Sequence, residues 1–196
     1  MQLREIKVIG SLGQLYGELA TLYNGIERDC FECQDPDCVG YVWLLKCEAE
    51  RLYNKGVPIV EINGKASFIH SFPVDETGRL NLGVQYPPCS QLCTDSRRCN
   101  IHEDRPLTCR LYPIGLETLQ DGTIVWALHH DCLHTRRLGE RGILPEFEKR
   151  ARNIVRRLSE KLRAEIVRTY REVHAVSAFP KGENNYSILE PCHVEV

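Results

Sequence analysis

CNIHEDRPLTCRLYP, residues 99–113, carries two cysteines ten positions apart. Arg105, Pro106, Arg110 and Pro113 lie between and after them, and the stretch has no glycine. Proline suits the first position of a helix, so Pro106 marks a start. Pro113 cannot continue that helix and disfavours helical geometry at Tyr112 before it. The spacing therefore predicts about one helical turn over 107–111, with Cys109 near its start. Backbone N–H groups and the local dipole there stabilise a thiolate. A metal site, a redox pair and an ordinary turn all remain open on these residues alone.

The rest of the chain narrows the choice. Ten cysteines occupy positions 30, 33, 38, 47, 89, 93, 99, 109, 132 and 192 of 196. The first residues, MQLREIKVIGSLG, carry early charges and no long apolar run, so they do not read as a secretory signal. No window is apolar enough for a membrane span, and the expected location is the cytoplasm. A reducing compartment argues against a disulfide framework and towards metal or redox chemistry. The formal charge of −2 gives no reason to expect a nucleic-acid partner.

Seven of the cysteines fall into two groups. The first is Cys30-x2-Cys33-x4-Cys38, with Asp35 and Pro36 favouring a turn. A C-x-x-C step lets two thiolates of one loop face one ion. The second is Cys89-x3-Cys93-x5-Cys99-x9-Cys109, and Cys132 follows among His129, His130 and His134. This is neither the consecutive ferredoxin run nor a zinc-finger pattern. Four thiolates on Zn²⁺, or on an oxidised four-iron cluster, leave about two net negative charges. Nearby cations are then expected, and Arg97, Arg98, Arg105 and Arg110 are available; Arg105 and Arg110 are the candidates for supporting the centre from behind the thiols. The three histidines read either as part of a reactive site or as packing.

The remaining sequence predicts an α+β fold. Leu12, Leu15, Leu19, Leu22, Tyr23 and Ile26 mark an amphipathic helix over 11–27 with Ser11 as its cap. Val42, Leu45, Ala49 and Leu52 mark a second over 42–54, ended by Gly56 and Pro58, with Cys47 expected in the core. Residues 58–62, 66–72, 80–85 and 123–128 read as strands, the first two joined by an Asn63-Gly64 hairpin. From Pro145 to residue 176 an apolar stripe runs through Phe147, Ala151, Ile154, Val155, Leu158, Leu162, Ile166, Tyr170 and Val173. Its basic face reads as a solvated surface, or else as a docking face for a protein partner or a membrane surface. The expected layout is a strand and helix over 1–27, a cysteine-cluster domain over 28–135, a long C-terminal amphipathic helix over 136–178 and a tail over 179–196. Together they form one small irregular metal-centred domain with short antiparallel strands.

PPCSQLCTDSRRCNIHEDRPLTCRLYP, residues 87–113, also resembles the signature of the YkgJ-type cysteine-cluster family. Cys89, Leu92, Cys99, Ile101, Arg105, Pro106, Cys109, Arg110, Tyr112 and Pro113 fall on its pattern. Cys30, Cys33 and Cys38 resemble the family's first motif, CEAERL at 47–52 resembles the helix after it, and Cys132 its late cysteine. Two positions depart: Val39 stands where a paired cysteine is usual, and His102 where a tyrosine is. Cys93 or His102 then supplies the missing ligand, or the site has fewer. The resemblance implies zinc or iron chelation through Cys30, Cys33, Cys38, Cys89, Cys93, Cys99, Cys109 and Cys132. An iron–sulfur cluster of the 4Fe–4S type is the first expectation and zinc the second, since sulfur-only ligation suits both.

The expected role is an accessory, electron-transfer or structural metal protein. The alternatives are a metal-dependent protein-modifying enzyme such as a lysine N-methylase, an Fe–S oxidoreductase, or a metal carrier with an exchangeable site.

Overall fold

In the computed structural model of the chain, which describes residues 7–24, 29, 32, 42–70, 89–93, 95–96, 98–176 and 185–192, Ser11 caps the first helix. Its Oγ accepts the Gln14 N–H at 3.3 Å, and the Gln14 side chain accepts the Gly10 N–H in return. This helix, α1 (Leu12–Leu22), buries Leu15, Leu19 and Leu22. It ends five residues short of the expected boundary; residues 25–28 lie outside the described set. The chain is mixed α+β and divides into two compact units. One comprises 1–27, 111–167 and 184–196, the other 28–110 and 168–183.

The first unit is built on an antiparallel sheet ordered β6 (Ile114–Thr118), β7 (Ile124–His129), β8 (Tyr186–Pro191). β7 is the middle strand and is buried from Ile124 to Leu128, as its continuous apolar run requires. Neither β6 nor β8 was expected from the sequence. The tail is not without packing: β8 pairs along β7, and the Cys192 N–H donates to Ile124 O at 2.8 Å. Helices α4 (Leu133–Glu140), α1 and β8 all pack on α5 (Leu144–Arg156), which has Pro145 in its first turn.

The stripe from 145 to 176 belongs to two helices, α5 and α6 (Glu160–Val176), rather than one. At the break Ile9 inserts: its N–H donates to Arg157 O and its carbonyl accepts the Ser159 N–H. Arg163 donates to the last carbonyls of α5, at Val155 and Arg156, and Ser159 Oγ accepts the Leu162 N–H to cap α6. Apolar spacing continues across the break through Leu158, so periodicity alone does not reveal it.

The second unit holds a three-stranded antiparallel sheet ordered β1 (Trp43–Leu44), β3 (Ala66–Ile69), β2 (Ile59–Ile62). β2 and β3 form the expected hairpin; Ile62 pairs with Ala66, and between them Asn63 and Gly64 both take positive φ while the Lys65 N–H donates to Ile62 O at 3.1 Å. Residues 43–44 pair with Phe68 and Ser67 rather than starting a helix. Helix α2 (Lys46–Tyr53) begins after an extended Leu45. Val42, Leu44, Ala49, Leu52, Val57, Ile69 and Cys89 make one core cluster. Cys47 is not in it: it lies on the exposed side of α2. The expected strand over 80–85 falls outside the described residues.

Candidate metal centre

Residues 98–110 of the second unit assemble from short pieces. Arg98–Cys99 form β5, which pairs with β4 (Leu92–Cys93) so that Leu92 faces Cys99 and Cys93 faces Arg98. A 3-10 turn follows at His102–Asp104, then an extended Arg105, Pro106, and the five-residue helix α3 (Leu107–Leu111). The one-turn helix expected over 107–111 is present with the same bounds.

Four of the cysteines expected to bind metal lie here. Cys89 is buried in the core cluster, and Cys109 packs against that cluster from α3 together with Leu92 and Ile101. Burial pushes the Cys99 thiol up; a negative charge on Cys89 adds to this, and the Arg105 guanidinium opposes it. Cys93 is the contrast: hydrogen bonds from the Ser96 side chain and backbone pull its thiol down. Cys30, Cys33 and Cys38 lie outside the described residues. Cys132 belongs to the first unit, half-buried in the extended position before α4, its carbonyl accepting the Thr135 hydroxyl at 2.8 Å. Among the described residues no three His, Cys, Asp or Glu side chains converge closely enough to hold an ion.

The two arginines do not reach outwards. Arg105 Nε donates to His102 O at 3.0 Å, and Arg110 Nε donates to Arg105 O at 2.7 Å while its Nη2 donates to Glu103 O. Both side chains fold back onto the 3-10 turn and hold positive charge beside the backbone that links Cys99 to Cys109. The turn is fixed from outside by Asp104, which accepts from Lys55 at 2.6 Å and Arg51 at 2.9 Å. The Lys55 hydrogen bond, then the charges of Lys55, Arg51 and Arg110, hold the Asp104 carboxyl below its ordinary value. The folded-state pKa is depressed. The stabilisation is therefore present above the unfolded-state value and is lost as pH falls through the lower folded-state one. An NMR titration of Asp104 should show a midpoint below the ordinary carboxylate range, and Lys55→Ala should move it up. An unchanged midpoint in that variant would show that Lys55 does not hold the carboxylate.

Sequence reasoning missed Glu48. It is 2 % exposed, yet it is a carboxylate. Its Oε1 accepts the Leu107 N–H at 2.6 Å and its Oε2 the Leu45 N–H at 3.0 Å. The N-terminus of α3, expected to favour a Cys109 thiolate, is thus already served by a carboxylate. Thr108, also missed, donates its hydroxyl to Trp43 O at 2.6 Å. An acidic residue in the helix resembling the family's was the available signal, but nothing in the sequence pairs it with position 107.

The histidines of the first unit have packing roles. His134 is buried edge-on against Phe147. The His130 N–H donates to Asn185 O. His129 lies between Tyr112 and Tyr186, with Nε2 3.3 Å from Glu117 Oε1. Burial lowers the His129 pKa and raises that of Glu117, so each is pushed towards its neutral form. A Cβ at Gly115 would sit 2.8 Å from His129 Nε2, which explains the glycine beneath the ring.

The model of the CxxCxxCC family, described as a putative zinc- or iron-chelating domain, matches residues 29–132, more than half of the chain. No curated protein and no solved structure matches it. No helix among the described residues is long and apolar enough to cross a membrane.

Proposed function

Since the chain belongs to the CxxCxxCC family of zinc- or iron-chelating domains, we propose that it carries an iron–sulfur cluster held by cysteine thiolates. The role is accessory: electron transfer, or fastening the loops that supply the ligands. The observation that carries this reading is the juxtaposition in one unit of Cys89, Cys99 and Cys109. Two pack on the same core cluster, and the third feels the charge of the first. Buried thiols near one another are poor places for uncompensated negative charge. A bound cation or cluster would supply the compensation, and thiolate sulfur suits either zinc or an iron–sulfur cluster. Cys89, Cys99 and Cys109 would contribute ligands, completed from Cys30, Cys33, Cys38 and Cys93, since no three described donors converge by themselves, with Arg105 and Arg110 offsetting the residual charge. These thiols are enough to complete a four-cysteine cluster with donors to spare. When bound, the group supplies redox capacity if it is Fe–S and rigidity in either case.

Anaerobic purification followed by iron, zinc and acid-labile sulfide analysis tests this. A brown protein with iron and sulfide in similar amounts is the expected result. A colourless protein with zinc and no sulfide would end the iron–sulfur reading and leave thiolate chelation standing.

A further inference from the structure

We propose that Glu48 is the positioning residue of the metal site, fixing the α3 turn and hence the Cys109 thiol through a buried carboxylate shared between two backbone N–H groups. The inference rests on the reading of Cys109 as a ligand.

Helix α3 has five residues, too few to persist without outside support. Cys109 sits in its middle, so the direction of that thiol is only as fixed as the helix. Glu48 grips its first N–H, at Leu107, with one oxygen and the Leu45 N–H, at the start of α2, with the other. A carboxylate is the one common side chain that only accepts and can do so at both oxygens. Bonds to an ionised acceptor are stronger than neutral ones, and burial shields these from water. Thr108 adds the second tie, to Trp43 O. Leu45 and Trp43 flank the strand-to-helix corner that leads into α2. The arm bearing Cys109 is thus referenced to that corner, and Glu48 connects the two without touching the metal itself.

The chemistry makes a specific substitution informative. Glu48→Gln keeps the volume but places an NH₂ group where one backbone N–H must be accepted, so two donors face each other. The test loads the full chain with Co²⁺ anaerobically, in wild type, Glu48→Gln, Cys109→Ser and the double variant. The readouts are affinity by chelator competition and the thiolate-to-cobalt charge-transfer spectrum, which a purely structural role would leave unmoved. Glu48→Gln should bind about 10- to 100-fold more weakly, the usual scale for losing a group that orients a ligand. Its spectrum should move to that of Cys109→Ser. The double variant should be no weaker than Cys109→Ser alone, because both act through one thiol.

A wild-type spectrum and affinity in Glu48→Gln, with Cys109→Ser impaired, would overturn the positioning role and leave the ligand assignment intact. So would a double variant weaker by the full product of the two effects. A wild-type spectrum in Cys109→Ser would remove the ligand assignment and this inference together. If Glu48→Gln does not fold, amide exchange in the wild-type chain decides. Cobalt should slow exchange at both Leu45 and Leu107; unchanged rates at these two amides would refute the coupling.

Discussion

Cys109→Ser is expected to strip the chain of its metal. Serine keeps the shape of the side chain but offers a hard, mostly protonated oxygen where a soft thiolate is needed. Structural zinc in thiolate sites contributes about 10–16 kcal/mol. A quarter of that, roughly 2.5–4 kcal/mol, corresponds to a loss of affinity on the order of a hundredfold to a thousandfold. The variant should emerge from gel filtration with little metal per chain, as read by elemental analysis. Serine keeps most of the contact that Cys109 makes with the core cluster of the second unit, so far-UV circular dichroism should remain near wild type. Cys47→Ser is the matched control, since Cys47 is exposed on α2 and outside both cysteine motifs. It should keep the full load. A full load in Cys109→Ser would show that α3 does not present a ligand.

Trp126→Ala is expected to have the largest effect on stability. Trp126 is fully buried in the middle strand of the first unit's sheet, opposite Leu116 on one side and Glu190 on the other. Removing so large a buried side chain costs about 3–5 kcal/mol through lost burial and the cavity left behind. Many domains are stable by only about 5–15 kcal/mol in total. Urea denaturation should show the midpoint falling sharply with little change in slope. Trp126→Phe should cost less, in part because the indole Nε1 has no hydrogen-bond partner among the described residues. A loss below about 1 kcal/mol in Trp126→Ala would place the indole outside the load of the core.

Local chemistry was readable in the sequence wherever a single turn decides the outcome. Ser11 as a cap, Asn63-Gly64 as a hairpin and Pro106 ahead of one helical turn each depend on a few neighbouring residues. What failed depended on partners far along the chain. The α5–α6 break follows from Ile9, some 150 residues away in sequence, while the stripe it interrupts keeps its period. β8 was invisible because its residues acquire a role only beside β7. Cys47 was expected in the core, but its spacing from the buried Ala49 and Leu52 puts it on the opposite face of α2.

The same division holds for the site. Clustered cysteines and the R-P-x-x-C-R-x-Y-P run were legible, since thiols at short spacing have few other uses in such number. The arginines were anticipated as counter-charges, but their grip on the His102, Glu103 and Arg105 carbonyls was not. Glu48 was overlooked because a buried carboxylate serving two backbone N–H groups leaves no periodic trace. The histidines beside Cys132 read either as a reactive group or as packing; His134 packs on Phe147 and His129 lies between Tyr112 and Tyr186, in line with packing.

The central claim, a metal centre held by cysteine sulfur, is tested most directly by X-ray absorption at the edge of whichever metal the anaerobically purified chain retains. The account predicts a first shell dominated by sulfur at about 2.3 Å. A first shell of nitrogen or oxygen at about 2.0–2.1 Å would contradict it.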